Sequence, residues 1–145
     1  MNEVSDKIRT AIYTALNGNI TYNSQTIGIF DEAPPTTAAV NYILFSTQAE
    51  DDQSNNSRFV TEGYILLDIV SIQSEFPNKS VLESISNSIL TILRPTVTTY
   101  GITLPAGYNL TLFRRESANS IPMLQSSTGK VLRKVLRFSY RIQHS

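Results

Sequence analysis

The fold of this chain follows from one stretch, residues 59–73, which reads FVTEGYILLDIVSIQ. Its centre, 64–70, is almost continuously apolar, which is typical of a strand with neighbours on both sides. Upstream, residues 40–47 form a second apolar run, and the mostly polar residues 48–57 separate the two runs. The sequence therefore predicts an extended antiparallel hairpin whose exposed tip is the acidic loop 48–57.

Two helices are predicted, one before and one after this hairpin in the chain. Apolar residues recur at helical spacing in 3–17, where Asn2 is a candidate N-cap. The same period marks 80–93, where Ser80 and Glu83 have the spacing of a capping box. Each helix is expected to bury one apolar stripe against the sheet.

The remaining segments add short and long strands. A turn at 23–25 predicts a small hairpin, and strands are predicted at 109–116 and 130–143, with 117–129 as the loop between them. The resulting order predicts an α+β fold in which an antiparallel sheet carries two helices on one face. The length of 145 residues suits one domain, 1–145.

Composition excludes several classes of function. Lysine and arginine number 12, as do aspartate and glutamate, so the formal net charge of zero argues against a general polyanion binder. There is no cysteine, which removes thiol nucleophiles and cysteine zinc sites, and the one histidine is His144. No glycine-rich phosphate loop or G-x-S-x-G motif occurs, and the carboxylates at 50–52 lack the spacing of a calcium loop. We therefore expect a protein that is not an enzyme, without catalytic residues, metal or cofactor.

No membrane partner is expected. The sequence has no apolar run of the roughly 20 residues needed to cross a bilayer. The N-terminal residues include acids where a signal peptide carries a basic flank. The chain is therefore expected to be made as a soluble protein in the cytoplasm.

Charge is divided unevenly along the chain. Residues 1–93 contain eleven acids and four bases, net −7, whereas 94–145 contain eight bases and one acid, net +7. The two halves either neutralise each other inside one domain or place opposite charges on opposite sides of a subunit. In the second case subunits associate head to tail, which closes into a ring or continues as a filament.

The candidate subunit interface consists of the acidic loop residues and the arginines of the last two strands. Strand alternation places Arg133, Arg137 and Arg141 on one face of 130–143 and the aromatic residues on the other. This arginine face either is solvated or meets an acidic neighbour or phosphates, and base stacking is not expected. The candidate residues are Glu50, Asp51, Asp52, Arg114, Arg115, Arg133, Arg137 and Arg141.

After the predicted first helix, four stretches follow in a characteristic order: IFDEAP at 29–34, NYIL at 41–44, the strand 63–71 before the second helix, and RRES at 114–117. This order resembles that of the tail terminator or tail-completion proteins of bacteriophages, which lie in the neck at the head–tail junction. This resemblance implies a structural virion protein whose α+β subunits form a ring, usually of six. Such a ring caps the tail tube and meets the head connector or stopper or other neck rings, and genomic DNA passes through its lumen.

A different class of function fits the same fold. Layers of one sheet and two helices also occur in cytoplasmic ligand-binding or regulatory modules, which form small dimers and hold a metabolite in a pocket. The oligomeric state separates this alternative from a ring.

Overall fold

A five-stranded sheet with two helices on one face dominates the computed structural model, which describes residues 1, 3–32, 40–74, 77–126 and 129–144. The elements in chain order are α1 (Ser5–Leu16), β1 (Thr21–Tyr22), β2 (Gln25–Thr26), β3 (Gly28–Asp31), β4 (Asn41–Asp52), β5 (Phe59–Gln73), α2 (Ser80–Leu93), β6 (Tyr108–Ser126) and β7 (Gly129–His144). The predicted α+β class is confirmed. In the described part of the chain, no helix is long and apolar enough to span a bilayer.

The strand order in the sheet is β3-β4-β5-β7-β6. All neighbours are antiparallel except β3 and β4, which run parallel, so the sheet is mixed and not purely antiparallel as predicted. Side-chain alternation reports which face a residue occupies and contains no information on strand direction. The sequence pattern predicts 26–30 only as the second arm of the small hairpin, whereas in the structure that arm is β2 and the following strand β3 pairs with β4.

The central strand β5 matches the predicted bounds 59–73. It pairs with β4 on one side and with β7 along its whole length on the other. Ile65, Leu67 and Ile69 are at most 1% exposed and point toward the helices, where Leu67 meets Leu136 of β7. We call this side the helix face of the sheet and the opposite side the open face.

The core is one cluster between the helix face and both helices. α1 contributes Ile8, Ala11, Ile12 and Leu16, and α2 contributes Leu82, Ile85, Ile89 and Leu93. The buried side chains of β7 are Leu132, Leu136, Phe138, Tyr140, Ile142 and His144. Phe113 of β6 stacks on Phe138, with ring centroids 5.2 Å apart. The predicted alternation of β7 and the placement of both helices on one face are confirmed.

The predicted helix caps are not the observed ones. α1 begins after Val4, which has no capping side chain, and Asn2 lies outside the described residues. At α2 the residue before the helix is Lys79, and the side-chain oxygen of Asn78 accepts the Ser80 N–H at 3.0 Å. Ser80 is thus the first helical residue and not the cap, and its hydroxyl donates to the side chain of Asn78.

Two segments predicted as loops are strands. β4 continues through 48–52 to Asp52, so the loop at the tip of the β4–β5 hairpin is only 53–58. β6 likewise continues through 117–126, most of the predicted loop before the last strand. Backbone pairing with β5 and β7 maintains both extensions, and it does not require apolar side chains on an edge exposed to water. Hydrophobic alternation is therefore a poor guide at these positions.

Gly63 of β5 provides a test of how closely β4, β5 and β7 approach. A Cβ atom there would lie 2.4 Å from the carbonyl oxygen of Ala49 and 2.8 Å from the hydroxyl oxygen of Tyr140. Because these atoms belong to a backbone and to a buried ring, we expect Gly63→Ala to lower the free energy of unfolding by about 1–3 kcal/mol. Urea denaturation measures this loss.

Gly28→Ala is the matched control for Gly63→Ala. The atoms nearest its added Cβ belong to the ring of Phe30, at 2.8 Å, and this half-exposed side chain is free to rotate away. The loss of stability is therefore expected to be smaller. Equal losses at the two positions would contradict the close approach at Gly63.

Candidate subunit interface

The arginine face of β7 meets carboxylates of the neighbouring strands. Arg133, Arg137 and Arg141 lie on the open face, as predicted, and have acidic partners in Asp68, Glu116 and Glu62, respectively. Two of these carboxylates belong to the acidic half of the sequence, so the two halves neutralise each other in part. The three arginines do not form a row of free positive charge for phosphates.

The pair between Arg133 and Asp68 is the most buried of the three. Asp68 is 3% exposed, and Arg133 Nε donates to both of its carboxylate oxygens, at 3.2 and 3.1 Å. Arg133 Nη2 also donates to Asp68. These hydrogen bonds raise the pKa of Arg133. The pair therefore joins opposite charges beside an otherwise apolar stretch of β5.

Arg137 is held between an aromatic ring and a carboxylate. Its guanidinium carbon lies 3.8 Å from the ring centre of Tyr64, and its Nε donates to Glu116 Oε2 at 3.1 Å. The Ser139 hydroxyl also donates to Glu116, and this bond, followed by that of Arg137, lowers the pKa of Glu116. The aromatic residues of β7 lie on the helix face as predicted, and the ring that contacts Arg137 belongs to the neighbouring strand β5.

Glu50 belongs to a polar cluster on the helix face of the sheet. The Tyr140 hydroxyl donates to Glu50 at 2.6 Å, and the Gln48 amide donates to the Tyr140 oxygen at 3.1 Å and to the Ser5 carbonyl at 3.0 Å. Burial raises the pKa of Glu50, and the nearby charge of Glu3 raises it further. Burial and the Glu50 carboxylate also raise the pKa of Tyr140, which keeps its hydroxyl a donor.

The other candidate residues are exposed and lack ion pairs. Asp51 and Asp52 end β4, and Asp52 accepts the N–H of Ser54 at 2.9 Å and its hydroxyl, which lowers the pKa of Asp52. Arg114 and Arg115 lie in β6. None of these four charged residues forms a salt bridge with another residue that the structure describes. The eight candidates thus form two groups. The first group binds a side chain on another strand and consists of Glu50, Arg133, Arg137 and Arg141. The second group forms no salt bridge with a described residue and consists of Asp51, Asp52, Arg114 and Arg115.

Several important residues were not among the sequence candidates. Glu62, Asp68 and Glu116 neutralise the arginines, and Gln48 and Tyr140 join the polar cluster. A signal existed for Asp68, which is a lone acid in the apolar run of the central strand and needs a charged partner there. No sequence signal identified the others, because their partners lie on strands distant in the chain.

A groove of about 670 Å³ lies where the start of α1 meets the end of β4. Glu3, Glu50, Asp51 and Asp52 line it. Arg9, which also lines it, donates to the Gln48 side-chain oxygen at 3.1 Å and lies 3.5 Å from Asp31. Within the described ranges, no group of three or more histidine or acidic side chains is arranged to hold a metal ion. Acidic side chains outnumber basic ones in the lining of the groove, so the groove favours a cationic side chain.

The fold of this chain is similar to that of a chain in a solved structure. No protein-family model and no curated protein matches this chain. A chain in the solved structure of the virion of a native gene transfer agent (GTA) particle is similar, with a TM-score of 0.70 and 14% sequence identity. The match covers 99% of this chain and 99% of that chain. At this identity the likeness establishes a shared fold over the whole length.

Removing Arg133 tests the buried ion pair. We expect Arg133→Met to lower the free energy of unfolding by about 2–3 kcal/mol, because Asp68 then remains as a buried charge without a partner. The loss is below the ~3–5 kcal/mol of a fully buried pair, since Arg133 is partly exposed. Urea denaturation at neutral pH measures it.

The control for Arg133→Met is Arg141→Met on the same strand. Its partner Glu62 has a side chain that is 45% exposed and remains hydrated when the arginine is removed. The expected loss is therefore only about 0–1 kcal/mol. Equal losses of stability in the two variants would contradict a larger contribution from the buried ion pair than from the exposed one.

Neutralising Glu50 tests the charge in the groove. Because its folded pKa is raised, the ionised carboxylate costs stability, which falls as the pH rises through that pKa. Glu50→Gln keeps an oxygen that accepts from Tyr140, so we expect a higher melting temperature than wild type at pH about 7 and none of this gain at pH about 4. Asp51→Asn, at an exposed position of the same strand, is expected to change the melting temperature little. A Glu50→Gln variant no more stable at neutral pH would contradict the role of burial.

Proposed function

We propose that this chain is a structural protein of a phage-like particle, without catalytic activity, and that its copies form a ring at the head–tail junction. The observation that supports this most is the similarity, over 99% of both chains, to a chain of a gene transfer agent virion. The resemblance of its segments to phage tail terminators supports the finer proposal of a position at the head–tail junction. In this proposal the ring, of six copies, caps the tail tube, meets the head connector or stopper, and surrounds the path of the genomic DNA.

The charge distribution of the folded chain supports head-to-tail association. Acids without a salt bridge to a described residue end β4 near one side of the sheet, and arginines without one lie in β6 at the other side. A contact between two different surfaces of identical subunits generates a ring if its rotation closes. The paired arginines of the open face leave these two sides as the places where charges of opposite sign face outward.

Purified protein provides the direct test of the ring. We expect light scattering during size-exclusion chromatography to give a mass of six subunits at micromolar concentration. Negative-stain images are expected to show particles with a central hole, and high salt is expected to shift the mass downward. A monomer at every concentration would contradict the ring, and a stable dimer would favour the regulatory module instead.

A second experiment tests the position in the particle. In a host that produces the particle, deletion of the gene is expected to leave heads and tails unjoined. Antibody labelling of intact particles is expected to mark the neck. Normal particles after deletion, or label on the head shell alone, would contradict a role at the head–tail junction.

A further inference from the structure

Two stretches of strand in this sheet have no neighbour on their outer side within the described part of the chain. β6 is an edge strand, and β3 covers β4 only along 42–45, so 46–52 of β4 also lies at an open edge among the described residues. Such edges are where a further strand or chain approaches most easily. The two stretches lie on opposite sides of the same sheet.

The edge of β6 presents one arginine on each face. Arg114 is opposite Ser139 and therefore lies on the open face, whereas Arg115 is opposite Phe138 and lies on the helix face. Both are exposed, and neither forms a salt bridge with a described residue. This differs from the arginines of β7, each of which has a carboxylate partner.

The edge of β4 presents acids in the complementary arrangement. Asp51 is opposite Glu62 on the open face, and Asp52 is opposite Thr61 on the helix face, with Glu50 next to it along the strand. On that face, Thr61 is only 3% exposed, lines the acidic groove, and has a hydroxyl oxygen without a hydrogen-bond partner among the residues described. The groove thus contains both uncompensated negative charge and an unused polar atom.

We infer that the β6 edge of one copy binds the acidic β4 edge of a second copy, with Arg114 facing Asp51 on the open face. This contact rests on the proposed ring and names the surfaces that form it. β4 and β6 run in opposite directions within the sheet, so the second copy continues the sheet in an antiparallel sense. With Arg114 opposite Asp51, Arg115 falls opposite Glu50 and diagonal to Asp52 on the helix face. Each face therefore receives a pair of opposite charges.

The contact is short and depends on side chains. Arg94 donates to the carbonyl of Phe113 immediately before the two arginines of β6. A register shift between Arg115 and Ser117 follows, and Pro122 removes a backbone donor further along. These features prevent a long backbone ladder between copies. Charge therefore supplies the specificity, and the association weakens as salt screens it.

Reversing one charge on each edge provides the test. Arg114→Glu places like charges opposite each other between identical copies, and so does Asp51→Arg. In a 1:1 mixture of the two variants, each contact between unlike variants again joins opposite charges. We expect each variant alone to raise the dissociation constant of self-association at least about tenfold at low salt, and the mixture to recover wild-type association. Sedimentation velocity over a concentration and salt series measures this.

Folding and net charge are controlled separately. Both substitutions lie at exposed positions, so their melting temperatures are expected to match wild type. Lys79→Glu at the start of α2 makes the same charge change as Arg114→Glu and is expected to leave association unchanged. If wild type forms rings but Arg114→Glu associates as tightly as wild type, or the mixture does not recover association, the contact is wrong while the proposed function stands. A wild-type chain that never associates overturns both.

Discussion

The fold depends on the burial of β5 between β4 and β7. Leu67 and Ile69 of this strand are fully buried on the helix face, while Asp68 between them is 3% exposed on the open face. A carboxylate in that position must have a charged partner, and Arg133 provides it from a diagonal position on β7. A slip of one residue in the β5–β7 register would move Arg133 to the helix face. The ion pair and the apolar core therefore specify the same register.

Pairing of the β7 arginines determines where charge remains available for association. The open face carries acids and bases in close pairs, so it has little net charge along its centre. Asp51 and Asp52 at the end of β4 and Arg114 and Arg115 in β6, which form no salt bridge with a described residue, lie toward the two sides of the sheet. The centre of the open face therefore offers little free positive charge to a polyanion. In the folded chain, two acids of the first half thus pair with arginines of the second half. Other charges of the two halves remain at the edges of the sheet without a salt bridge to a described residue.

The acidic end of β4 is an ordered part of the fold. Gln48 joins the start of α1 to Tyr140 of β7, and Tyr140 in turn donates to Glu50. These hydrogen bonds connect three elements that are distant in sequence. A partner that binds there meets a strand whose backbone is already in place, which lowers the conformational entropy lost on binding. A mobile loop with the same residues would have had to become ordered first.

The sequence by itself determined the α+β class, the bounds of β5 and α2, and the two faces of β7. These features depend on local periodicity, since alternation and helical spacing report which side of an element is buried. Only the tertiary structure decided the parallel direction of β3, the full lengths of β4 and β6, and the carboxylate that neutralises each arginine. Those depend on which strands become neighbours, and strand pairing joins residues such as Asp68 and Arg133 that are far apart in the chain. The candidate interface was accordingly found as a set of charges, and the fold separated the charges that are satisfied internally from those that remain available to a second copy.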